Sequence, residues 1–123
     1  MATMVIPTAV TSLLQEFREE AAITKRVLAR VPADKLTWKP HEKSMTLGQL
    51  AGHVAFIPGR ISKMAQLDSF DVLKGAFVPQ QPNSLEEVLT GYEQSVRDAE
   101  QFLENVTEES LRAKWRLMKC HLI

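Results

Sequence analysis

The stretch Thr46-Leu47-Gly48-Gln49-Leu50-Ala51-Gly52-His53-Val54-Ala55-Phe56-Ile57-Pro58-Gly59-Arg60-Ile61-Ser62-Lys63-Met64 decides the fold. It opens with a capping box, in which the threonine and glutamine side chains each satisfy an amide that a helix start leaves without a partner. Leu47, Leu50, Val54, Ile57, Ile61 and Met64 follow at helical spacing, so this stripe is expected to face a core. Pro58-Gly59 falls in its middle, but the stripe keeps phase across the proline. That predicts one kinked helix instead of two.

A second amphipathic segment precedes it. From about Thr8 to Val31, Val10, Leu13, Leu14, Phe17, Ala21, Thr24, Leu28 and Val31 share one face, and Glu16, Arg18, Glu19, Lys25 and Arg26 mostly face water. Pro32 ends it, because the residue before a proline is biased out of the helical region. A third helix follows. Ser84-Leu85-Glu86-Glu87 reads as another capping box, and Leu85, Val88, Leu89, Tyr92, Val96, Ala99, Leu103 and Val106 form its stripe. Between the second and third helices, residues 75–83 are rich in helix breakers. A connection of that length suggests a crossover instead of a tight hairpin. Residues 113–118 alternate apolar and polar, the mark of a short strand or extended segment.

Three wide apolar stripes in 123 residues make one all-α domain spanning 1–123, a helix bundle, the expected solution. Such bundles usually close with a fourth helix. Here it is incomplete or missing, so one apolar groove is expected to stay open and to serve as an interface, giving a homodimer or a swapped assembly.

Charge and cysteine content narrow the function. Fifteen Lys and Arg balance fifteen Asp and Glu. That removes the usual electrostatic argument for nucleic acid or an anionic membrane as partner. No segment approaches the roughly 18 apolar residues of a membrane span, and the start MATMVIPTAV lacks the basic region of a signal peptide. A single cysteine, Cys120, fits a reducing compartment, so a cytoplasmic location is expected. Nucleotide-binding glycine loops, the nucleophile elbow and the H-E-x-x-H zinc motif are all absent from the sequence.

His53 borders the stripe of the second helix. Imidazole is a common ligand for zinc and nickel, and a helix fixes its direction. The plainer alternative is a half-buried histidine bonded to a carbonyl or carboxylate. Near the other end, His121 stands beside Cys120. His41, in the linker, reads as a solvated loop residue. Trp38 reads as a packing residue at the end of the bundle, and the glutamates of the third helix as a solvated acidic face.

The run Val31-Pro32-Ala33-Asp34-Lys35-Leu36-Thr37-Trp38-Lys39-Pro40-His41-Glu42-Lys43-Ser44-Met45-Thr46-Leu47-Gly48-Gln49-Leu50-Ala51-Gly52-His53 resembles the DinB/YfiT-like family. There a helix ends at a "vP", an "l-x-W-x-P" linker follows, and "S-M-T-L-G-x-L-x-x-H" opens the next helix. The resemblance implies an up-down-down-up four-helix bundle, commonly dimeric, with a divalent metal (zinc or nickel) held by three histidines. His53 matches the histidine of the second helix. Cys120-His121-Leu122-Ile123 resembles the start of the element that supplies the other two, so His121 matches the first of that pair. The second would fall past Ile123.

Two functions follow. One is a metal-binding protein with small-molecule chemistry of the family's kind, such as thiol-dependent transfer, with His53 and His121 as ligands. The other is a non-catalytic helical module that dimerises through the face a fourth helix would cover.

Overall fold

A computed structural model describes residues 8–72 and 79–118 of the chain. Three long helices dominate: α1 (Ala9–Leu28), α2 (Leu47–Ala65) and α3 (Leu85–Asn105). A single turn of helix, α4 (Glu108–Leu111), follows α3. Two short strands, β1 (Ser69–Asp71) and β2 (Arg116–Met118), pair in parallel, with Phe70 opposite Leu117. The fold is all-α in class, as the periodicity predicts.

Each long helix starts where its sequence says it should. The Thr46 hydroxyl accepts from the Gln49 amide at 3.0 Å, and the Gln49 side chain accepts from the Thr46 amide at 2.9 Å. At α3 the box is only half made. Ser84 Oγ accepts from the Glu87 amide, but the Glu87 carboxylate reaches one residue further back and accepts from the Asn83 amide. Thr8 caps α1 with a full box to Thr11, and the helix ends with Lys25 and Arg26 against its negative end.

Contacts along the helices fix their directions. Gly48 lies beside Pro82, the Phe56 ring beside Gly91, and Gly59 against Ser95. Positions on α2 and α3 rise together, so these two helices run parallel, which requires the crossover that the connection between them predicts. α1 runs the other way: Arg18 pairs with Glu104 at 2.8 Å, Lys25 pairs with Glu93 at 3.2 Å, and the Tyr92 hydroxyl donates to the Ala21 carbonyl at 2.7 Å. The three helices are therefore arranged up-down-down. α3 is central and packs against both neighbours, most extensively against α2.

The core is Leu28, Ala51, Ala55, Val88 and Tyr92, with Val31, Phe56, Leu85, Leu89 and Val96 packed around it. This corrects the reading of α2. Its buried positions are Gly48, Ala51, Gly52, Ala55, Gly59 and Ser62, all small, whereas Leu50 is 50% exposed and Ile61 57% exposed. Small side chains let two helix backbones approach closely, and Gly59 uses that freedom: a Cβ there would stand 3.2 Å from Ser95 Cα. The strongest apolar stripe of α2 is turned away from α3. Trp38 is 55% exposed.

Candidate functional site

α1 and α2 both lean on α3 and make little contact with each other. Between them lies an open cleft of about 220 Å³. Phe17 and Ala21 of α1 form one wall, Val54 and Ile57 of α2 the other, and Tyr92 of α3 lines it as well. Glu20 is the charged side chain on its rim. On the α2 side the cleft runs into the outward stripe of Leu50, Val54, Ile57 and Ile61, whose spacings of four, three and four keep them on one face.

Tyr92 is almost fully enclosed. Burial pushes its phenol above the usual tyrosine value, and a hydrogen bond with the Thr24 side chain works in the opposite direction. With its proton donated to the Ala21 carbonyl, Tyr92 ties α3 to α1 beneath the cleft. Its position on the stripe made it a core residue in the sequence. Its place beside an open cleft could not be read there, because that depends on how far α1 and α2 are splayed.

His53 stands in the second turn of α2. It is half-buried, and its side chain makes no hydrogen bond to another described residue. Helical spacing puts Leu50 and Ile57 beside it, so it borders the outward apolar stripe. His121 and Cys120 lie outside the described residues. His41 is exposed in the linker, where its Nδ1 accepts from the Lys43 amide at 3.1 Å. Among the described residues, no three His, Cys, Asp or Glu side chains come together in a way that would hold a metal ion. Zinc normally takes three or four protein ligands, so His53 and its described neighbours do not make a metal centre by themselves.

The acidic face of α3 is in part engaged. Glu93, Glu100 and Glu104 meet Lys25 and Arg18 of α1 across exposed ion pairs, each of which contributes about 0–1 kcal/mol. No helix among the described residues is long and apolar enough to cross a membrane.

Three long helices run up-down-down, the second opened by a capping box and carrying a histidine beside its outward apolar stripe. A model of the DinB superfamily matches residues 16–116, and the chain belongs to that superfamily. No curated protein and no solved structure matched it.

Proposed function

We propose that this DinB-superfamily chain works as a self-associating helical module, in which a second copy closes the open face of α1 and α2. The observation that supports this is the outward stripe of α2, with Leu50, Val54 and Ile61 at 50%, 38% and 57% exposure. Large aliphatic side chains at this spacing on one helix face are the pattern that knobs-into-holes packing uses. Left in water they form a contiguous apolar patch, which generally marks an interface. A formal net charge of zero offers little repulsion between copies.

Sedimentation equilibrium tests this reading. The expected result is a dimer that Leu50→Glu with Ile61→Glu converts to a folded monomer. A wild-type chain that stays monomeric at the highest soluble concentration overturns it.

A second reading is favoured by the position of His53, half-buried with no side-chain hydrogen bond among the described residues and bordering the same face. In it the chain binds a divalent metal, zinc or nickel, through His53 and His121, with a further donor from water or a second subunit. It then acts on a small-molecule substrate, as a thiol-dependent transferase would. The support is superfamily membership and the placement of His53. Elemental analysis of exhaustively dialysed, tag-free protein tests it. Metal near one per chain or per dimer, lost in His53→Ala, is the expected outcome; metal far below that and unchanged by the mutation overturns it.

A further inference from the structure

At the C-terminal end of α2 the structure holds a much larger space than the cleft beside Tyr92. An open groove of about 1110 Å³ lies between the last turns of α2 and α3, walled by α4 and the segment that leads to Trp115. Lys63 and Lys114 line it against Asp68 and Asp98, so charge selects neither sign of ligand. Its apolar side chains carry the information instead. Leu67, Leu111 and Trp115 are 53%, 40% and 40% exposed. The indole of Trp115 is held in place, because its N–H donates to the Met64 carbonyl at 3.2 Å. An aromatic side chain already ordered gives up little freedom on association, and tryptophan is prominent among the residues that dominate interfaces.

Ile61 lines this groove and is also the last residue of the outward α2 stripe. The chain therefore carries an apolar ridge and an apolar groove that meet at one side chain. Area argues that a stable contact uses both. The ridge offers four partly exposed aliphatic side chains, on the order of a few hundred Å². A stable dimer covers roughly 800 Å² on each partner. Exposed apolar surface continues from Ile61 into the groove, where two lysines against two aspartates leave no net charge to repel a like surface.

We infer that a second copy of this chain occupies the groove, with the α2 ridge of each copy seated in the groove of the other. A two-fold axis near Ile61 produces this arrangement, because a symmetric interface sets one patch against the same patch on the partner. Val54 stands seven residues before Ile61, and Leu67 six residues after it. Two α2 helices crossing antiparallel at Ile61 thus bring Val54 of one copy to the Leu67 end of the groove in the other, where Trp115 lies. The inference rests on the self-association reading. It adds which surface receives the stripe, and that dimerisation covers Trp115.

Trp115 reports on this directly. The two tryptophans are Trp38 and Trp115, so Trp38→Phe leaves Trp115 as the only fluorophore of its kind. Sedimentation equilibrium and acrylamide quenching are measured over one dilution series of that chain. As the dimer forms, Trp115 emission is expected to shift to the blue and its quenching constant to fall roughly twofold, since an interface core excludes water. Leu50→Glu with Val54→Glu alters the ridge and leaves the groove lining of its own chain untouched. It should give a monomer with native circular dichroism, whose Trp115 is quenched as in the most dilute sample. The dilution series decides the matter even where that variant fails to fold. A dimer whose Trp115 is quenched equally at both ends of the series overturns this inference and leaves the self-association reading standing. A chain that stays monomeric throughout overturns both.

Discussion

The backbone amide of Gly59 donates to Ser95 Oγ across 2.8 Å, joining α2 to α3 inside the core. Proline at position 58 contributes no amide to the helix ladder, and this is the turn at which a side chain of α3 enters it. One turn further on, the Ser62 hydroxyl donates back to the Pro58 carbonyl at 2.7 Å. α2 stays one helix through the proline.

Removing the acceptor should therefore cost more than an average surface change. Ser95→Ala leaves the Gly59 amide without its partner in a buried place, for an expected loss of about 1–3 kcal/mol. Gly59→Ala should cost a similar amount, since its Cβ would meet Ser95 Oγ at 3.1 Å and overpacking typically costs about 1–3 kcal/mol. Urea denaturation checks both. Wild-type stability in either variant would mean that the contact contributes nothing.

Two other glycines should separate cleanly. At Gly91 a Cβ would run into the Phe56 ring, whereas at Gly52 the nearest atom is a Phe56 ring carbon at 3.6 Å, ordinary contact distance. Gly52→Ala is therefore expected to stabilise α2 by up to about 1 kcal/mol through helix propensity. Gly91→Ala gains the same propensity but must displace an aromatic ring, so it should destabilise by about 1–3 kcal/mol. Thermal or urea unfolding of the pair gives the comparison, and equal effects would contradict the packing described.

How much of this was legible in the sequence depends on the side chains involved. Periodicity located all three long helices, and Thr46 with Gln49 fixed the start of α2. Val88, Tyr92 and Ala99 were recognisable as the inner face of α3 because that helix has one apolar stripe and one acidic face. α2 has two non-polar faces. Leu50, Val54, Ile57 and Ile61 dominate any count of hydrophobicity, yet Gly48, Ala51, Ala55 and Gly59 are what allow α3 to come close. Hydropathy ranks the wrong face first when small residues are the ones packed. The paired strands came through only in part: residues 113–118 alternate as an extended segment should, but nothing in residues 69–71 marks a partner for them. For the candidate site, His53 was visible from its spacing, and His121 lies outside the described residues. The groove beside Trp115 was not visible, since it arises from two parallel helix ends that the chain brings together over a long crossover.

That inversion of α2 makes a direct prediction. Val88 is fully buried, so Val88→Ala should destabilise the fold by about 2 kcal/mol, combining lost transfer energy with a cavity. Ile61 is 57% exposed, so Ile61→Ala should cost well under about 1 kcal/mol in a monomer. Under the self-association reading, the same Ile61→Ala change should weaken the dimer and make apparent stability depend more steeply on protein concentration. Urea midpoints at two protein concentrations read both effects. A large concentration-independent loss for Ile61→Ala would place Ile61 in the core of the single chain.

The last prediction concerns Tyr92, the only tyrosine in the chain. Burial holds its phenol above the usual 10.0, with the Thr24 side chain pulling the other way, so the folded state keeps the proton longer than the unfolded state does. The contribution is then fully present below the unfolded value. It is lost as pH rises through the folded one, because the unfolded phenol ionises first. Ionisation would also remove the proton donated to the Ala21 carbonyl and so loosen α1 from α3. Urea midpoints measured between about pH 9 and 12 should fall more steeply for wild type than for Tyr92→Phe. Below that range the variant should be less stable by about 1 kcal/mol, the value of one hydrogen bond. Phenolate absorbance gives an independent reading, since a sole tyrosine leaves no ambiguity in assigning the titration. A phenol that titrates in the folded protein at or below its ordinary value would show that the cleft admits water to Tyr92, and that its hydroxyl does not bind α1 as described.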